Sequence, residues 1–272
     1  MPGYLWFYQT LSMRMYTVNT HTPPANPGQD TAAALPHHGT TEKVSRIRAT
    51  IAKRMLESLD TSAQLTATVE VDLSAISAIR ASEKDAFRAR EGAGLSYLPF
   101  IIRAAVEGLQ AYPKLNATID LAAGLISYPS GEHVGIAVDT PRGLLVPVIR
   151  DTGAMSVGAL AKAVADVAAR SQAGKLGAAD LAGGTFTVTN YGSLGTLMDT
   201  PIINQPQVAI LGTGALTRRP VAVTGADGRE SVEIRDMMYL SLSYDHRLVD
   251  GADAARFLSH VKSRLEGGAF EI

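Results

Sequence analysis

The sequence predicts an α+β fold in which helices cover one side of a mixed sheet, giving a two-layer α/β sandwich. Amphipathic patterns at helical spacing occur at a few widely separated places, whereas the alternating patterns of strands come in runs. A doubly wound sheet would instead interleave strands and helices one by one. The 272 residues, 46% apolar and 19% charged, have the composition of a globular protein.

We expect the chain to divide into a tail with a linker, residues 1–41, and one large folded domain, residues 42–272. The linker is rich in Pro, Ala, Thr and Gly and shows little periodicity, so it buries too little surface to order itself. His37 and His38 lie within it. Without a second cluster of ligands at a suitable spacing, they do not predict a metal site.

Helical spacing of apolar residues predicts five helices in the domain. Serines placed just before the apolar stripes predict N-caps for three of them, Ser74, Ser96 and Ser156. In the last helix we expect Ala255, Leu258, Val261 and Leu265 to face inward. The predicted helices cover residues 44–55, 74–90, 97–111, 156–172 and 252–265.

Alternating and β-branched runs predict the strands, which are separated by turn residues such as those at 140–143 and 226–229. The last predicted strand should complete the sheet directly before the histidine motif described below. The predicted strands cover residues 64–72, 117–120, 125–128, 133–139, 144–149, 184–189, 207–216, 222–223 and 232–243.

Composition excludes several classes of function. The net charge is −1 with no block of like charges, which argues against nucleic acid as a partner. There is no cysteine, so disulfides, thiolate metal sites and a cysteine nucleophile are excluded. No apolar run approaches the roughly 20 residues that span a bilayer, and the start lacks a signal peptide. We therefore expect a cytoplasmic protein that does not bind membranes.

Several short motifs are weak. Gly212-Thr-Gly214 follows a strand, but neither the third glycine nor a helix follows, so a dinucleotide site is not predicted. The segment Gly192-Ser-Leu-Gly195 has the wrong spacing for a nucleophile elbow. His133 reads as an ordinary residue at a sheet edge, and His260 as a residue on the solvent face of the last helix.

His246 is the strongest candidate for chemistry. It lies at a strand-to-helix junction, with Asp250 four residues later and a glycine directly after that. A histidine has a pKa close to neutrality and can take and return a proton at working pH. On spacing alone, a loop histidine with ordinary hydrogen bonds remains an equal alternative.

The segment Ser-Tyr-Asp-His246-Arg-Leu-Val-Asp250-Gly resembles the His-x-x-x-Asp-Gly signature of chloramphenicol acetyltransferase-like enzymes. More closely, the chain resembles the catalytic domain of the dihydrolipoamide acyltransferase component of 2-oxo acid dehydrogenase complexes, and most of all the acetyl-transferring, pyruvate dehydrogenase type. The resemblance covers roughly residues 42–266. The matching segments, in family order, are residues 46–55, 135–149, 184–190, 200–212 and 243–251.

The resemblance implies a chloramphenicol acetyltransferase-like fold and an acyl transfer from dihydrolipoamide to coenzyme A. It assigns His246 as the general base that deprotonates the thiol, and Thr189 as the hydroxyl that stabilises the oxyanion. Asp250 belongs to the catalytic motif but is expected to hold the loop through a basic partner, for which the early arginines are the candidates, rather than to touch the imidazole. Members are homotrimers with active sites between subunits, so His246 and Thr189 should meet across a subunit boundary.

The resemblance also implies substrates and partners. Coenzyme A is the acyl acceptor, and the acyl donor is a lipoyl group carried on a lipoyl domain that we do not recognise in this chain. The dehydrogenase and dihydrolipoamide dehydrogenase components of the complex are the other expected partners. The C-terminal segment is less apolar than expected for docking between trimers, which leaves a larger cubic assembly open.

Three alternatives stay open at this point. The acyl group could be succinyl or branched-chain rather than acetyl. The domain could be a non-catalytic structural core of the same complex, although the intact His246, Asp250 and Thr189 argue against this. An antibiotic-type acetyltransferase with a hydroxyl acceptor is the third alternative, and the several matching segments weigh against it.

Overall fold

The computed structural model describes residues 39–141, 143–225 and 227–272, and the compact unit within them is Val44–Ile272. The helices of this unit are α1 (Arg46–Thr61), α2 (Ser74–Glu91), α3 (Leu98–Ala111), α4 (Val157–Gln172) and α5 (Gly251–Glu266). The strands are β1 (Gln64–Asp72), β2 (Thr118–Asp120), β3 (Leu125–Ser127), β4 (Val134–Ile136), β5 (Val148–Ile149), β6 (Phe186–Asn190), β7 (Ala209–Thr213), β8 (Thr217–Thr224) and β9 (Glu230–Asp245).

The main sheet has seven strands in the order β1-β9-β7-β6-β4-β5, with β8 also paired to β9. Strand β6 is parallel to β4 and β7, whereas the other pairs are antiparallel, so the sheet is mixed. The α+β class predicted from the sequence is confirmed. Strand β9 is the longest at 16 residues, and it pairs with β1 on one side and with β7 and then β8 on the other.

The two faces of the sheet differ in chemistry, because successive side chains of a strand point to opposite sides. One face joins the apolar core with α3 and α5, where Leu240 and Leu242 of β9 lie among residues such as Phe100 and Phe257. The opposite face is polar, and Ser241 and Ser243 of β9 are buried on it. There the hydroxyls of Thr66 and Thr68 pair with Ser243 and Ser241 at 2.8 and 3.1 Å.

One of the three predicted helix caps is confirmed. The Ser156 hydroxyl accepts a hydrogen bond from the backbone N–H of Ala159 and begins α4. Ser74 is instead the first residue of α2, and its hydroxyl accepts from the backbone N–H of Asp236. Helix α3 has Tyr97 at its N-cap position without a side-chain cap bond, so the predicted Ser96 cap is also wrong.

Most of the other predicted helices and strands are found near their expected bounds, and β1 matches the prediction residue for residue. Helix α1 extends beyond the predicted segment to Thr61, and strand β8 covers Thr217–Thr224 where the sequence predicts only 222–223. Strands β4 and β5 are shorter than predicted, because only Val138 and Leu145 continue their pairing as an isolated bridge. Ala255 is exposed, contrary to prediction, since Ala254 and Phe257 occupy the inner side of α5. No helix in the described ranges is long and apolar enough to cross a membrane.

Candidate active site

His246 lies on a tight turn directly after β9 and is exposed. Its backbone N–H donates to the carbonyl of Ala63 at 2.8 Å, and the turn closes through hydrogen bonds from Leu248 and Val249 to the carbonyl of Asp245. The imidazole lies 5.9 Å from the ring of Tyr244, measured between ring centroids. The backbone of His246 is thus firmly held while its side chain is free to meet another group.

Asp245, the residue before His246, is a functional candidate that the sequence reasoning did not single out. Its side chain is 1% exposed, and both of its oxygens accept hydrogen bonds from the Arg247 guanidinium at 2.7–3.0 Å. Oδ1 also accepts from the backbone N–H groups of Ala63 and Arg247. Such a bidentate ion pair fixes the relative orientation of the two side chains as well as neutralising the charge.

The ionisation of Asp245 follows from these contacts. Burial alone would raise the pKa of its carboxyl, but the hydrogen bonds donated by Arg247 and Ser62 outweigh burial, and the pKa lies below its ordinary value. The pKa of the Arg247 guanidinium is raised, chiefly by its hydrogen bond to Asp245. The turn of His246 therefore rests on a buried ion pair.

Asp250 is the N-cap of α5, and its carboxylate accepts from the backbone N–H of Asp253 at 2.7 Å. Among the residues described in the structure, no Arg or Lys forms an ion pair with Asp250; Lys114 pairs with Asp253 at 3.0 Å instead. The basic partner expected for Asp250 is therefore not found within the described chain. The ion pair that anchors the turn is the one between Asp245 and Arg247.

Thr189 lies near the end of β6, in the row that runs through Gly212 of β7 to Ser241 of β9. His246 follows Ser241 by five residues, so it lies about 17 Å along the sheet and about 10 Å across it from Thr189. Because β9 is antiparallel to β7, His246 is at the edge where β6 begins, and Thr189 is near the opposite edge. One chain alone does not bring the two side chains together.

A cavity lies at the same edge of the sheet as Thr189. This cavity of about 200 Å³ lies between the start of α3 and the ends of β6 and β7, lined by residues that include Tyr97, Asn190, Ser193 and Thr213. A wider, more open cleft of about 620 Å³ follows the outer side of α5. That cleft includes neither His246 nor Thr189 among its lining residues, so its size does not make it the site of chemistry.

Comparison with known proteins decides the family. The sequence profile of the 2-oxoacid dehydrogenases acyltransferase (catalytic domain) family matches residues 36–270. The chain belongs to this acyltransferase family.

Relatives of this acyltransferase domain include dihydrolipoyllysine-residue acetyltransferase components of pyruvate dehydrogenase complexes. The chain is 52% identical over 233 residues to that of Mycobacterium tuberculosis, which covers 86% of the chain and 42% of the relative. It is 50% identical to that of Corynebacterium glutamicum, covering 86% and 34%. A succinyltransferase component of the Escherichia coli 2-oxoglutarate dehydrogenase complex is 44% identical, covering 82% and 53%. The chain thus spans about half or less of the length of these relatives.

Solved structures agree with this family. A probable dihydrolipoamide acetyltransferase from Listeria monocytogenes superposes with a TM-score of 0.79 at 35% identity, covering 84% of this chain and 94% of that one. The dihydrolipoamide acetyltransferase of Azotobacter vinelandii gives 0.77 at 34% identity, covering 90% and 97%. The latter structure addresses the role of a serine, a histidine and an asparagine in that enzyme's catalytic mechanism.

The remaining histidines of the acyltransferase domain have local roles. Nδ1 of His133 accepts from the backbone N–H of Asp151 at 3.0 Å, and His260 packs edge-on against Tyr112 with centroids 6.0 Å apart. The described residues contain no group of three or more possible metal ligands. His37 and His38 lie outside the described residues.

The glycines that suggest a dinucleotide motif serve packing instead. A Cβ at Gly212 would lie 2.5 Å from the ring of Tyr191, so the tyrosine needs a glycine beneath it. Burial raises the pKa of the Tyr191 hydroxyl, which lies beside Ser241. The tyrosine ring thus lies over Gly212, the β7 residue that pairs with Thr189.

Proposed function

We propose that the domain transfers an acetyl group from dihydrolipoamide to coenzyme A, as a catalytic domain of a pyruvate dehydrogenase complex. The observation that carries the proposal is the exposed His246 on a turn fixed at both flanks, in a chain of the acyltransferase family. The acetyl group is favoured because the acetyltransferase relatives are 50–52% identical, whereas the succinyltransferase relatives are 40–44% identical.

His246 is the general base in this proposal. A thiol with a pKa near 8.5 is mostly protonated at neutral pH, so a positioned base accelerates its attack. The imidazole takes the proton of the coenzyme A thiol, and the sulfur attacks the thioester carbonyl of the acyl donor. The tetrahedral intermediate then expels the dihydrolipoyl sulfur, which takes the proton back from His246. Assistance of this kind is worth about 10²–10⁴-fold in rate.

Thr189 donates its hydroxyl to the oxyanion of the tetrahedral intermediate. A donor that already points at the developing charge lowers the barrier more than one that must reorient. Asp250 acts through structure, since its carboxylate caps α5 immediately after the turn of His246. The histidine and asparagine studied in the Azotobacter vinelandii enzyme are four residues apart, as are His246 and Asp250, which supports this alignment.

The active site is completed by a second copy of the chain in this proposal. The sheet separates His246 from Thr189 by about 17 Å along its strands, so the base of one subunit needs the hydroxyl of a neighbour. In a homotrimer, each of the three sites lies between two subunits. One subunit contributes the sheet edge with His246, and its neighbour contributes the edge with Thr189. Assembly of trimers into a cubic core, and binding of a lipoyl domain and the two dehydrogenase components, belong to the same proposal.

The test is transfer from acetyl-, succinyl- or isobutyryl-coenzyme A to free dihydrolipoamide, followed by mass spectrometry of the acylated product. We expect acetyl transfer to be fastest, and His246→Ala to lower the rate by about 10²–10⁴-fold while the trimer persists. An unchanged turnover rate of His246→Ala would rule out His246 as the general base. A preference for succinyl would overturn only the acyl assignment.

Thr189 has its own matched pair of variants. Thr189→Val removes the hydroxyl with little change in shape and should lower kcat by about 10²-fold while sparing KM for coenzyme A, because the hydroxyl is needed only once the oxyanion forms. Thr189→Ser keeps a donor and should retain most activity. Equal rates for the two variants would mean that another group donates the hydrogen bond to the oxyanion.

A further inference from the structure

An open cleft of about 620 Å³ follows the outer side of α5, and its lining residues include none of those proposed for acyl transfer. Arg256, His260 and Arg264 line the cleft at intervals of four residues, a spacing that places them one above another on one side of the helix. At 1.5 Å per residue, this α5 row is about 12 Å long. The cleft therefore presents a line of basic side chains rather than a single one.

The polar groups beside the α5 row are free to meet a ligand. Tyr112 and His260 contact each other ring to ring, with centroids 6.0 Å apart. Within the residues that the structure describes, the hydroxyls of Tyr112, Ser259 and Ser263 form no hydrogen bond, although all three residues line the cleft. A bound group with lone pairs can accept from these hydroxyls without first displacing a protein partner.

Positive charge exceeds negative charge in the ion pairs around the cleft, because two carboxylates are each shared between two bases. The pairs are Lys114–Asp253 at 3.0 Å, Arg256–Asp253 at 3.1 Å, Arg103–Glu107 at 2.9 Å and Arg264–Glu107. Four cations thus share two anions, although the chain as a whole has a net charge of −1. The charge of the cleft therefore favours an acidic ligand.

The length of the α5 row distinguishes an acidic chain from a single anion. A lone phosphate or carboxylate contacts one part of the row, whereas Arg256 and Arg264 are about two helical turns apart. In an extended peptide, alternate side chains point to the same side and lie about 6.6–6.8 Å apart. Residues four apart on a helix rise by about 6 Å, so acidic residues at alternate positions of an extended segment match the row.

We propose that the α5 row binds an extended acidic segment of a partner protein. Carboxylates at alternate positions of the segment pair with Arg256 and Arg264, and the hydroxyls beside the row donate to the segment between them. The proposal is independent of the chemistry at His246. It predicts that a change in the cleft alters binding of the segment and leaves acetyl transfer within about twofold of wild type.

Arg90 offers a matched control for Arg256. The Arg256 side chain is 54% exposed and pairs with one carboxylate at 3.1 Å, whereas the Arg90 side chain is 52% exposed and pairs with one carboxylate at 2.9 Å. Arg90 lies on α2 and does not line the cleft. Arg256→Glu and Arg90→Glu change the net charge equally, so a difference between them reports the cleft and not the overall charge.

The experiment measures the fluorescence anisotropy of a labelled Glu-Ser-Glu-Ser-Glu peptide with the intact protein, after circular dichroism shows each variant folded. We expect a Kd below about 1 mM for the wild type and weaker binding as salt is added. Arg256→Glu should weaken binding at least about fivefold, whereas Arg90→Glu should stay within about twofold. Arg256→Gln removes the charge without reversing it and carries the test if Arg256→Glu fails to fold.

Several outcomes would overturn the proposal. Equal affinity for the peptide and for Gln-Ser-Gln-Ser-Gln would exclude recognition of carboxylates, and equal affinity of the Arg256 and Arg90 variants would place binding outside the cleft. Displacement of the peptide by an equal concentration of inorganic phosphate would indicate a site for a single anion. A changed assembly of Arg256→Glu in analytical ultracentrifugation would make this face a contact between copies of the chain.

Discussion

Replacing Arg247 by Met should destabilise the domain by about 3 kcal/mol at neutral pH. The change removes the side-chain donors at 2.7–3.0 Å from both oxygens of Asp245, and the carboxylate, which is 1% exposed, keeps the backbone N–H groups of residues 63 and 247 as donors. Removing one partner of a fully buried pair costs about 3–5 kcal/mol. The Arg247 side chain is 24% exposed, which places the expected loss at the lower end.

The loss should depend on pH in a defined direction. Burial raises the pKa of Asp245 and hydrogen bonds from Arg247 lower it further than burial raises it. A carboxyl with a lowered folded pKa adds stability that is complete above its unfolded pKa of about 3.9 and is lost as pH falls through the folded pKa. Without Arg247, burial dominates and the ionised carboxylate destabilises. The gap between wild type and variant should therefore be widest near neutral pH and narrow as Asp245 of the variant becomes protonated.

The assay is urea unfolding at one protein concentration, near pH 7 and near pH 5, because stability of an oligomer depends on concentration. For a domain of this size, 3 kcal/mol corresponds to a fall in melting temperature of about 6–12 °C. Arg229→Met is the control, since Arg229 is 89% exposed and 3.7 Å from Asp227. We expect it to change stability by less than about 0.5 kcal/mol. An Arg247→Met variant as stable as this control near pH 7 would refute the reasoning.

Three further changes test packing, capping and close approach. Phe257→Ala should lower the free energy of unfolding, measured by thermal unfolding, by about 3–5 kcal/mol, because its fully buried ring fills the space beneath α5. A loss below about 1 kcal/mol would mean that the surrounding side chains close the cavity. Ser156→Ala should lower the free energy of unfolding in urea by about 1 kcal/mol, since it removes the side-chain cap of α4. An unchanged free energy of unfolding would mean that water replaces the hydroxyl as the acceptor. Gly192→Ala should cost more than about 3 kcal/mol, because its Cβ would collide with the backbone carbonyl of Gly214. The control Gly94→Ala places its Cβ in open space and should be near neutral; equal stability of the two would contradict the clash.

The sequence predicts what periodic patterns encode. Helix α3 and strand β1 lie where predicted, because their apolar residues recur at the spacing of a helix or a strand and one side of each is buried. One of the two wrong caps, at Ser74, failed because a tertiary contact takes the hydroxyl. Ser74 has the local sequence of a cap, but its oxygen accepts from Asp236, which is 162 residues away in the chain.

The residues of the candidate site also differ in how far the sequence predicts them. A family resemblance locates His246, Thr189 and Asp250, because their motifs are contiguous in the sequence. Asp245 was not singled out, since an aspartate before a histidine has no periodicity and its partners are remote: Ala63 is 182 residues away. The only local signal is Arg247 two residues later, a spacing at which a strand-end carboxylate and a guanidinium can fold together.

Strand β9 has a consequence for how the chain folds during its synthesis. It pairs with β1, β7 and β8, yet β1 ends at Asp72 and its partner segment ends at Asp245. At about 5–20 residues per second, β1 waits on the order of ten seconds or more for its partner to be made. Until then the segment Gln64–Asp72 is an unpaired alternating strand, which is open to pairing with other chains. The last strand of this sheet to be synthesised thus closes the sheet and positions His246 in the same event, so a chain stalled before Glu230 lacks both.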